Sequence, residues 1–187
     1  EKKEAAPPAV TAAQSGAAPA VPTAVTAQVA PAIALPGQAA RFIQVETENY
    51  IAVFTTHGAR LKSFQLKNYR ASADPKSSLQ EIVSIAKDVP LPLGVRWQAP
   101  APFDDAVLSY AVQGGDLKLN GDAKGTLVFQ GQAADGVTIS KTLIFTGNSY
   151  PIQFDVAVQS TAGNPPVPEL MLTEKSDHTV ATPGAPF

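Results

Sequence analysis

Residues 136–163 have the sequence GVTISKTLIFTGNSYPIQFDVAVQSTAG, and two alternating runs within this stretch decide the fold. The first run places apolar side chains at every second position and hydroxyl side chains between them. Its apolar phase comprises Val137, Ile139, Leu143 and Phe145, and Lys141 shares that phase. The second run, from Ile152 to Val158, alternates in the same way. A period of two is typical of a β-strand with one buried face, so both runs are predicted to be strands.

The segment between these two runs predicts how they are connected. Gly147, Asn148 and Ser149 follow one another there, and such residues tolerate the positive φ angles of tight turns. We therefore expect the two strands to be antiparallel neighbours joined by a short connection.

Further alternating runs extend back to Arg41, where β-branched and aromatic residues begin to recur. They predict strands over residues 42–48, 50–56, 60–67, 79–85, 93–98, 107–112, 117–119 and 125–130, with another at about 167–173. The run at 50–56 has apolar residues on both faces, so it is expected to lie deep in the fold. No convincing helical periodicity is present. The chain is predicted to be all-β, an antiparallel sandwich.

Residues 1–40 differ sharply from the rest of the chain. They contain fifteen Ala and six Pro, and their only charges are the first four residues. Without large side chains, such a segment cannot offset an ordering entropy of about 1–2 kcal/mol per residue. We predict a flexible Ala/Pro-rich linker over 1–40 and a β-sandwich domain over 41–187.

Composition excludes several classes of protein. The 187 residues carry 14 Lys plus Arg and 16 Asp plus Glu, a net charge of −2, which disfavours nucleic acid as a partner. Cysteine is absent, and no apolar run reaches the roughly 18 residues of a membrane span. The chain begins at Glu1 and its only methionine is Met171, so we expect it to derive from a longer protein.

The motifs of catalysis and metal binding are missing. His57 and His178 have no second ligand at a suitable spacing, and His57 is interpreted as a surface residue of a turn. The neighbouring Asp104 and Asp105 are interpreted as part of a solvated loop rather than a catalytic pair. We assign no catalytic, cofactor-binding or metal-binding residue and no cofactor, and the partner-binding residues remain unknown.

Two further groups of residues receive structural interpretations. The cations around one predicted strand are expected to be solvated or to protect a sheet edge; they are Arg60, Lys62, Lys67 and Arg70. Trp97 and Phe103, which lie among prolines, could line a hydrophobic groove, but core packing is the favoured interpretation.

Two stretches resemble a known family. In 45–70 an opening pattern V-x-T, followed by T and G, is carried by Val45, Thr47, Thr55 or Thr56, and Gly58. In 136–163 a K-T-x-x-F element followed by Y-x-I-x-F is carried by Lys141, Thr142, Phe145, Tyr150, Ile152 and Phe154. Together they resemble the large periplasmic domain of the bacterial YidC-type membrane protein insertases.

This resemblance implies a β-supersandwich at the periplasmic face of the bacterial inner membrane, in a parent protein with several membrane helices. It implies an accessory role in the insertion and folding of membrane proteins, with Sec translocon components and nascent membrane proteins as partners. The insertase residues of the family lie in its membrane helices, so no insertase site is carried over to this chain. The family's domain continues beyond the strands visible here, so we expect this chain to end inside its parent domain.

Proteins of other classes remain as alternatives. Mutarotase-like sugar enzymes also have a supersandwich fold and require a general acid and base in one cleft. The available candidates for those roles are His57, His178, Glu169 and Glu174. A carbohydrate-binding or adhesion sandwich would account for the linker and the strands, although not for the two motifs.

Overall fold

The computed structural model describes residues 39–83 and 89–172. Within these ranges twelve strands form three sheets. The strands are β1 (Phe42–Glu46), β2 (Tyr50–Thr55), β3 (Arg60–Arg70), β4 (Leu79–Glu81), β5 (Gly94–Trp97), β6 (Phe103–Asp104), β7 (Ala111–Gln113), β8 (Leu117–Lys118), β9 (Lys124–Gln132), β10 (Val137–Thr146), β11 (Gln153–Ser160) and β12 (Glu169–Met171). Short 3-10 helices occupy Asp105–Val107 and Ala134–Gly136. The predicted all-β class is confirmed.

The first sheet has the order β4-β3-β2-β1-β8, with β8 parallel to β1 and the other neighbours antiparallel. Strand β2 therefore lies in the middle, as its two apolar faces predict. Tyr50, Ala52 and Phe54 on its inner face are fully buried.

The second sheet has the order β11-β10-β9-β7 and contains the two strands predicted from the alternating runs. Strand β10 alternates strictly between buried and half-buried residues, and Leu143 pairs with Phe154 on β11. The connection spans residues 147–152 and is longer than a tight turn. It packs on a neighbouring turn, where the Gly147 N–H donates to the Ala123 carbonyl at 2.9 Å and the Asn148 N–H to the Gly121 carbonyl at 2.8 Å.

The core lies between the first and second sheets. The Phe54 ring on β2 lies 6.4 Å from the Phe129 ring on β9 and 5.7 Å from the Phe145 ring on β10, measured between centroids. Two sheets that bury their inner faces against each other form a sandwich. The third sheet is small, with the order β12-β5-β6, and adds Val95 and Trp97 to the core.

The prediction of a strand over 107–112 is wrong for its first half. Asp105–Val107 form a 3-10 helix, because the Asp104 side chain accepts a hydrogen bond from the Ala106 N–H at 2.8 Å and turns the chain. Regular pairing begins only at Ala111, on β7. This turn directs Asp105 into the protein interior, where it is fully buried.

Three predicted segments extend past the described residues, among them the strand predicted at about 167–173, whose last residue lies outside them. The linker over 1–40 lies outside them except for its last two residues, and so does the end of the strand predicted over 79–85. Among the residues that the structure describes, no helix has the length and apolar character needed to cross a bilayer.

Candidate functional site

A surface groove of about 650 Å³ lies where strands β1, β2 and β3 meet the loop before β5. Its walls are mostly apolar. The groove is lined by Ala40, Phe42, Thr55, His57, Arg60, Lys62, Val89, Pro90, Leu91, Asp104 and Ala106. Pairing places Phe42 beside Thr55 and Thr55 beside Arg60, so three adjacent strands contribute one row of side chains to the groove.

The groove adjoins a buried cluster of charged residues, of which Arg60 is the outermost cation. The Arg60 side chain is almost fully buried, and its Nη2 donates to Asp104 Oδ1 at 2.6 Å and to Asp105 Oδ1 at 2.7 Å. Its Nη1 donates to the Leu91 carbonyl at 3.0 Å. The guanidinium therefore holds the loop before β5 and the Asp104–Asp105 turn against β3.

Lys141 on β10 is the inner cation of this cluster and is fully buried. Its Nζ forms an ion pair with Asp105 Oδ2, and it donates to the carbonyls of Gly58 at 2.7 Å and Leu93 at 2.8 Å. The Tyr110 hydroxyl donates to the same Asp105 oxygen at 3.0 Å. The cluster thus contains two cations, Arg60 and Lys141, and two carboxylates, Asp104 and Asp105. Asp105 contacts both cations.

Glycines make room for this cluster. A Cβ atom at position 94 would lie 2.5 Å from Arg60 Nη1, and one at position 58 would lie 2.8 Å from Arg60 Nε. Gly58 also adopts a φ of +68°, which glycine accepts without strain. The Thr-His-Gly turn of the family motif therefore supplies both space for Arg60 and a carbonyl for Lys141.

Burial shifts the pKa values of two side chains in the cluster, Lys141 and Tyr110. It lowers the pKa of Lys141 to about 8, against the opposing attraction of Asp105. Burial and the Asp105 carboxylate together raise the pKa of Tyr110 well above its ordinary value. A lysine with a lowered pKa can act as a nucleophile, but Lys141 has no exposed surface and its amine is occupied by three acceptors. Its geometry is that of a structural group.

The cluster joins all three sheets. Arg60 belongs to the first sheet, Asp104 to the third and Lys141 to the second, while Asp105 links the two cations. A buried ion pair adds little net stability over apolar packing, but removal of one partner is costly because a charge is left uncompensated. The cluster therefore favours one arrangement of the three sheets.

This cluster corrects two interpretations made from the sequence. Arg60 is buried rather than solvated, and Asp104 and Asp105 are not part of a freely solvated loop, since Asp105 is buried and Asp104 is bonded to Arg60. Adjacent aspartates can converge on one guanidinium here because the 3-10 turn rotates the second one inward. The sequence signal that could have revealed the cluster is Lys141, a charge in the apolar phase of a strand.

Of the other basic residues, Lys62 and Arg70 are exposed and Lys67 is half-buried. Lys62 is exposed, and its Nζ lies 4.1 Å from the centroid of the Phe42 ring. Lys67 pairs with Glu46 at 2.8 Å, and this contact lowers the pKa of the Glu46 carboxyl. Arg70 is exposed and donates to the Ser77 carbonyl.

The histidines and glutamates considered for sugar chemistry are not brought together where the structure describes them. His57 is an exposed turn residue in the groove, as predicted. Glu169 lies on β12, pairs with Arg96 at 2.9 Å and does not line the groove. His178 and Glu174 lie outside the described residues. Across 39–83 and 89–172 no group of three His, Asp or Glu side chains is arranged to hold a metal ion.

Trp97 and Phe103 form a stacked pair with ring centroids 4.2 Å apart. Trp97 is buried in the core, as favoured from the sequence, and Phe103 is half-buried against it. Both also border a second, smaller pocket of about 340 Å³, together with Pro100, Pro102 and Val137.

Two mainly antiparallel sheets around one core, a small third sheet and a shared charge cluster define the chain as a β-sandwich domain. The sequence pattern of the YidC periplasmic domain family matches residues 42–185. The chain belongs to this family, and the resemblance stated from its two motifs is confirmed. Membership locates the domain on the periplasmic side of the bacterial inner membrane.

Several relatives carry the name membrane protein insertase YidC. The protein from Oleidesulfovibrio alaskensis is 37% identical over 123 residues, which cover 66% of this chain and 22% of the relative. The protein from Geotalea uraniireducens is 34% identical over 125 residues, covering 66% and 23%. That from Syntrophus aciditrophicus is 33% identical over 136 residues, covering 70% and 24%. The matched part of this chain thus spans less than a quarter of each relative's length.

Proposed function

We propose that this domain is an accessory, non-enzymatic part of a membrane protein insertase. It assists the insertion and folding of inner-membrane proteins through contacts with Sec translocon components or with nascent membrane proteins. The observation that carries this proposal is the family match over 42–185, which includes nearly all of the sandwich. The names of the relatives, each a membrane protein insertase, supply the process in which the domain takes part.

The described surface supports a role in contacts rather than in chemistry. Within 39–83 and 89–172, no hydrogen bond links a histidine side chain to a hydroxyl or a carboxylate, which is the arrangement that activates a nucleophile. The buried Lys141 and Asp105 are turned toward each other and away from solvent. The surface instead offers an apolar groove, a feature of interaction surfaces.

Site-specific photocrosslinking tests this proposal. A photoreactive amino acid is placed in turn at three exposed positions in different parts of the fold: His57, Tyr69 and Tyr150. The labelled chain is added to spheroplasts, whose inner membrane exposes its periplasmic face. Adducts with translocon subunits or newly made membrane proteins are expected from at least one position. Absence of such adducts from all three positions, with the labelled chains folded by circular dichroism, contradicts the proposal.

A further inference from the structure

We propose that the groove and the apolar side chains at its rim form a docking surface for the anionic phospholipid surface of the inner membrane. This inference goes beyond the assisting function, because it gives the domain an orientation against the bilayer and names a lipid rather than a protein as the partner. It uses the periplasmic location of the family and three features of the described residues.

The first feature is a set of exposed apolar side chains around one groove. Phe42 is 54% exposed and Val89 is 41% exposed, and both line the groove. Val107 is 73% exposed and follows Ala106, another lining residue, in the first 3-10 helix. These residues come from three separate segments of the chain, so their gathering is a product of the fold. Apolar residues clustered at a concave surface mark an interaction site.

The second feature is positive charge for which the described residues supply no matching carboxylate. Lys62 lines the groove, and its amine lies over the Phe42 ring, 4.1 Å from the ring centroid. Arg41 precedes Phe42, and no carboxylate of the described residues forms an ion pair with either cation. Asp104, in contrast, is neutralised by Arg60 at 2.6 Å. An apolar wedge flanked by basic side chains is the combination that anionic bilayers attract.

The third feature favours lipid over an extended peptide. A peptide held by strand addition needs unpaired backbone groups at a sheet edge. On strands β1 and β3, which contribute residues to the groove, three such groups already have partners: the Leu61 N–H donates to the Pro92 carbonyl at 3.3 Å, the Phe64 N–H to Glu81 Oε1 at 2.6 Å and the Gln44 N–H to Asp116 Oδ1 at 2.8 Å. A bilayer requires no such directional bonds and can accept the apolar side chains directly.

Sedimentation of the whole 187-residue chain with lipid vesicles tests the proposal. Vesicles of phosphatidylcholine with about 30 mol% phosphatidylglycerol are compared with vesicles of phosphatidylcholine alone. Binding to the anionic vesicles is expected at low salt and should weaken as sodium chloride rises from about 0.05 M to about 0.3 M, because salt screens the attraction. Little binding to the neutral vesicles is expected.

Matched variants locate the surface. Lys62→Glu should lower the partition coefficient at least about fivefold, the effect of one basic side chain near an anionic surface, whereas Lys124→Glu, at an exposed position on β9, should lower it much less. Phe42→Ser should weaken binding more than Tyr69→Ser, although both residues are more than half exposed. Phe42→Leu should retain binding, because leucine is also apolar. Retained binding would show that Phe42→Ser weakens binding through the loss of an apolar side chain at the membrane and not through unfolding.

Hydrogen exchange with and without vesicles gives a second measurement. Added protection is expected at residues 41–44, 89–91 and 105–107. No binding to anionic vesicles at low salt overturns the proposal, and so do equal losses from Lys62→Glu and Lys124→Glu. Protection of the same segments by an apolar peptide, without vesicle binding, shows a peptide site instead and also overturns it. The vesicles contain no protein, so these failures leave the proposed translocon and substrate contacts unaffected.

Discussion

At the scale of single residues, Lys141 shows how a position in the sequence pattern determines a buried contact in the fold. Its place in the apolar phase of β10 commits it to the interior, and its amine is then satisfied by Asp105 and two carbonyls. Replacement by methionine keeps most of the volume and removes the charge. Asp105 then retains Arg60 and Tyr110 but loses its nearest cation.

We predict that Lys141→Met lowers the free energy of unfolding by about 3 kcal/mol at neutral pH, because the carbonyls of Gly58 and Leu93 and the Asp105 carboxylate lose a buried hydrogen-bond donor. Lys62→Met, at an exposed position, is the matched control and should change stability by less than about 0.5 kcal/mol. Urea denaturation measures both. Adding Asp105→Asn to Lys141→Met should recover part of the loss, and a double variant less stable than the single one would argue against the unsatisfied Asp105 carboxylate as part of the cause.

The lowered pKa of Lys141 predicts a dependence of stability on pH. The pKa of its amine is 10.5 when unfolded and about 8 when folded, so between these values the unfolded chain binds more protons. Stability should therefore rise between about pH 8 and pH 10, by up to about 3 kcal/mol. Above about pH 10 it should fall, because burial raises the pKa of Tyr110 and Tyr50 and the unfolded tyrosines ionise first. Urea denaturation across this range should show the rise in the native chain but not in Lys141→Met.

The sequence could predict part of this site. Periodicity placed Lys141 on a buried face, and the turn at His57 followed from its glycine. The partners of Lys141 could not be found in this way, because Asp105 is distant in sequence and turns inward only through a local 3-10 helix. Arg60 illustrates the same difficulty, since its burial depends on the loop and turn that cover the end of β3.

At the scale of elements, long strands were predicted close to their full length, whereas the bounds of short ones were predicted less well. Strands β2, β9 and β10 each contain several alternating apolar residues, and these residues are buried in the structure. Their predicted bounds therefore agree with the observed ones to within two residues. Strand β8 lies within the strand predicted over 117–119, whereas β6, which also has two residues, was not predicted, because no periodicity can be detected in so short a run. Their positions are fixed by pairing with longer neighbours, which is a property of the folded chain.

The connection between β10 and β11 gives a prediction at this scale. A Cβ atom at Gly147 would lie 2.6 Å from backbone atoms of Asn120, and a backbone cannot move aside as a flexible side chain can. Gly147→Ala should therefore destabilise the domain by about 1–3 kcal/mol, the usual cost of overpacking. Gly115→Ala is the control, because an added Cβ would meet no atom within 4 Å there. Equal melting temperatures for the two variants would show that the contact between the turns can relax.

At the scale of the whole molecule, the inner face of the second sheet is covered unequally from strand to strand. Strands β9 and β10 bury their inward side chains, whereas Phe154, Val156 and Val158 on β11 are only half-buried, although they pair with buried residues of β10. Among the described strands, β11 is also the last in its sheet. The apolar layer thus continues to the edge of the fold, and an edge of this kind favours pairing with another chain.

We therefore predict that the 187-residue chain associates through β11 as its concentration rises. Strand β11 has eight residues, and its charge is limited to Asp155, so little opposes the approach of a second strand. Ala157→Lys places a cation at an exposed position in the middle of this edge and should shift the chain toward monomer, because a charge at an edge must be desolvated on pairing. Ala123→Lys, at an exposed turn position, makes the same chemical change away from β11 and should leave association unaltered. Sedimentation velocity over a concentration series distinguishes the three chains. A native chain that stays monomeric throughout, or an Ala123→Lys variant as monomeric as Ala157→Lys, would rule out β11 as the associating edge.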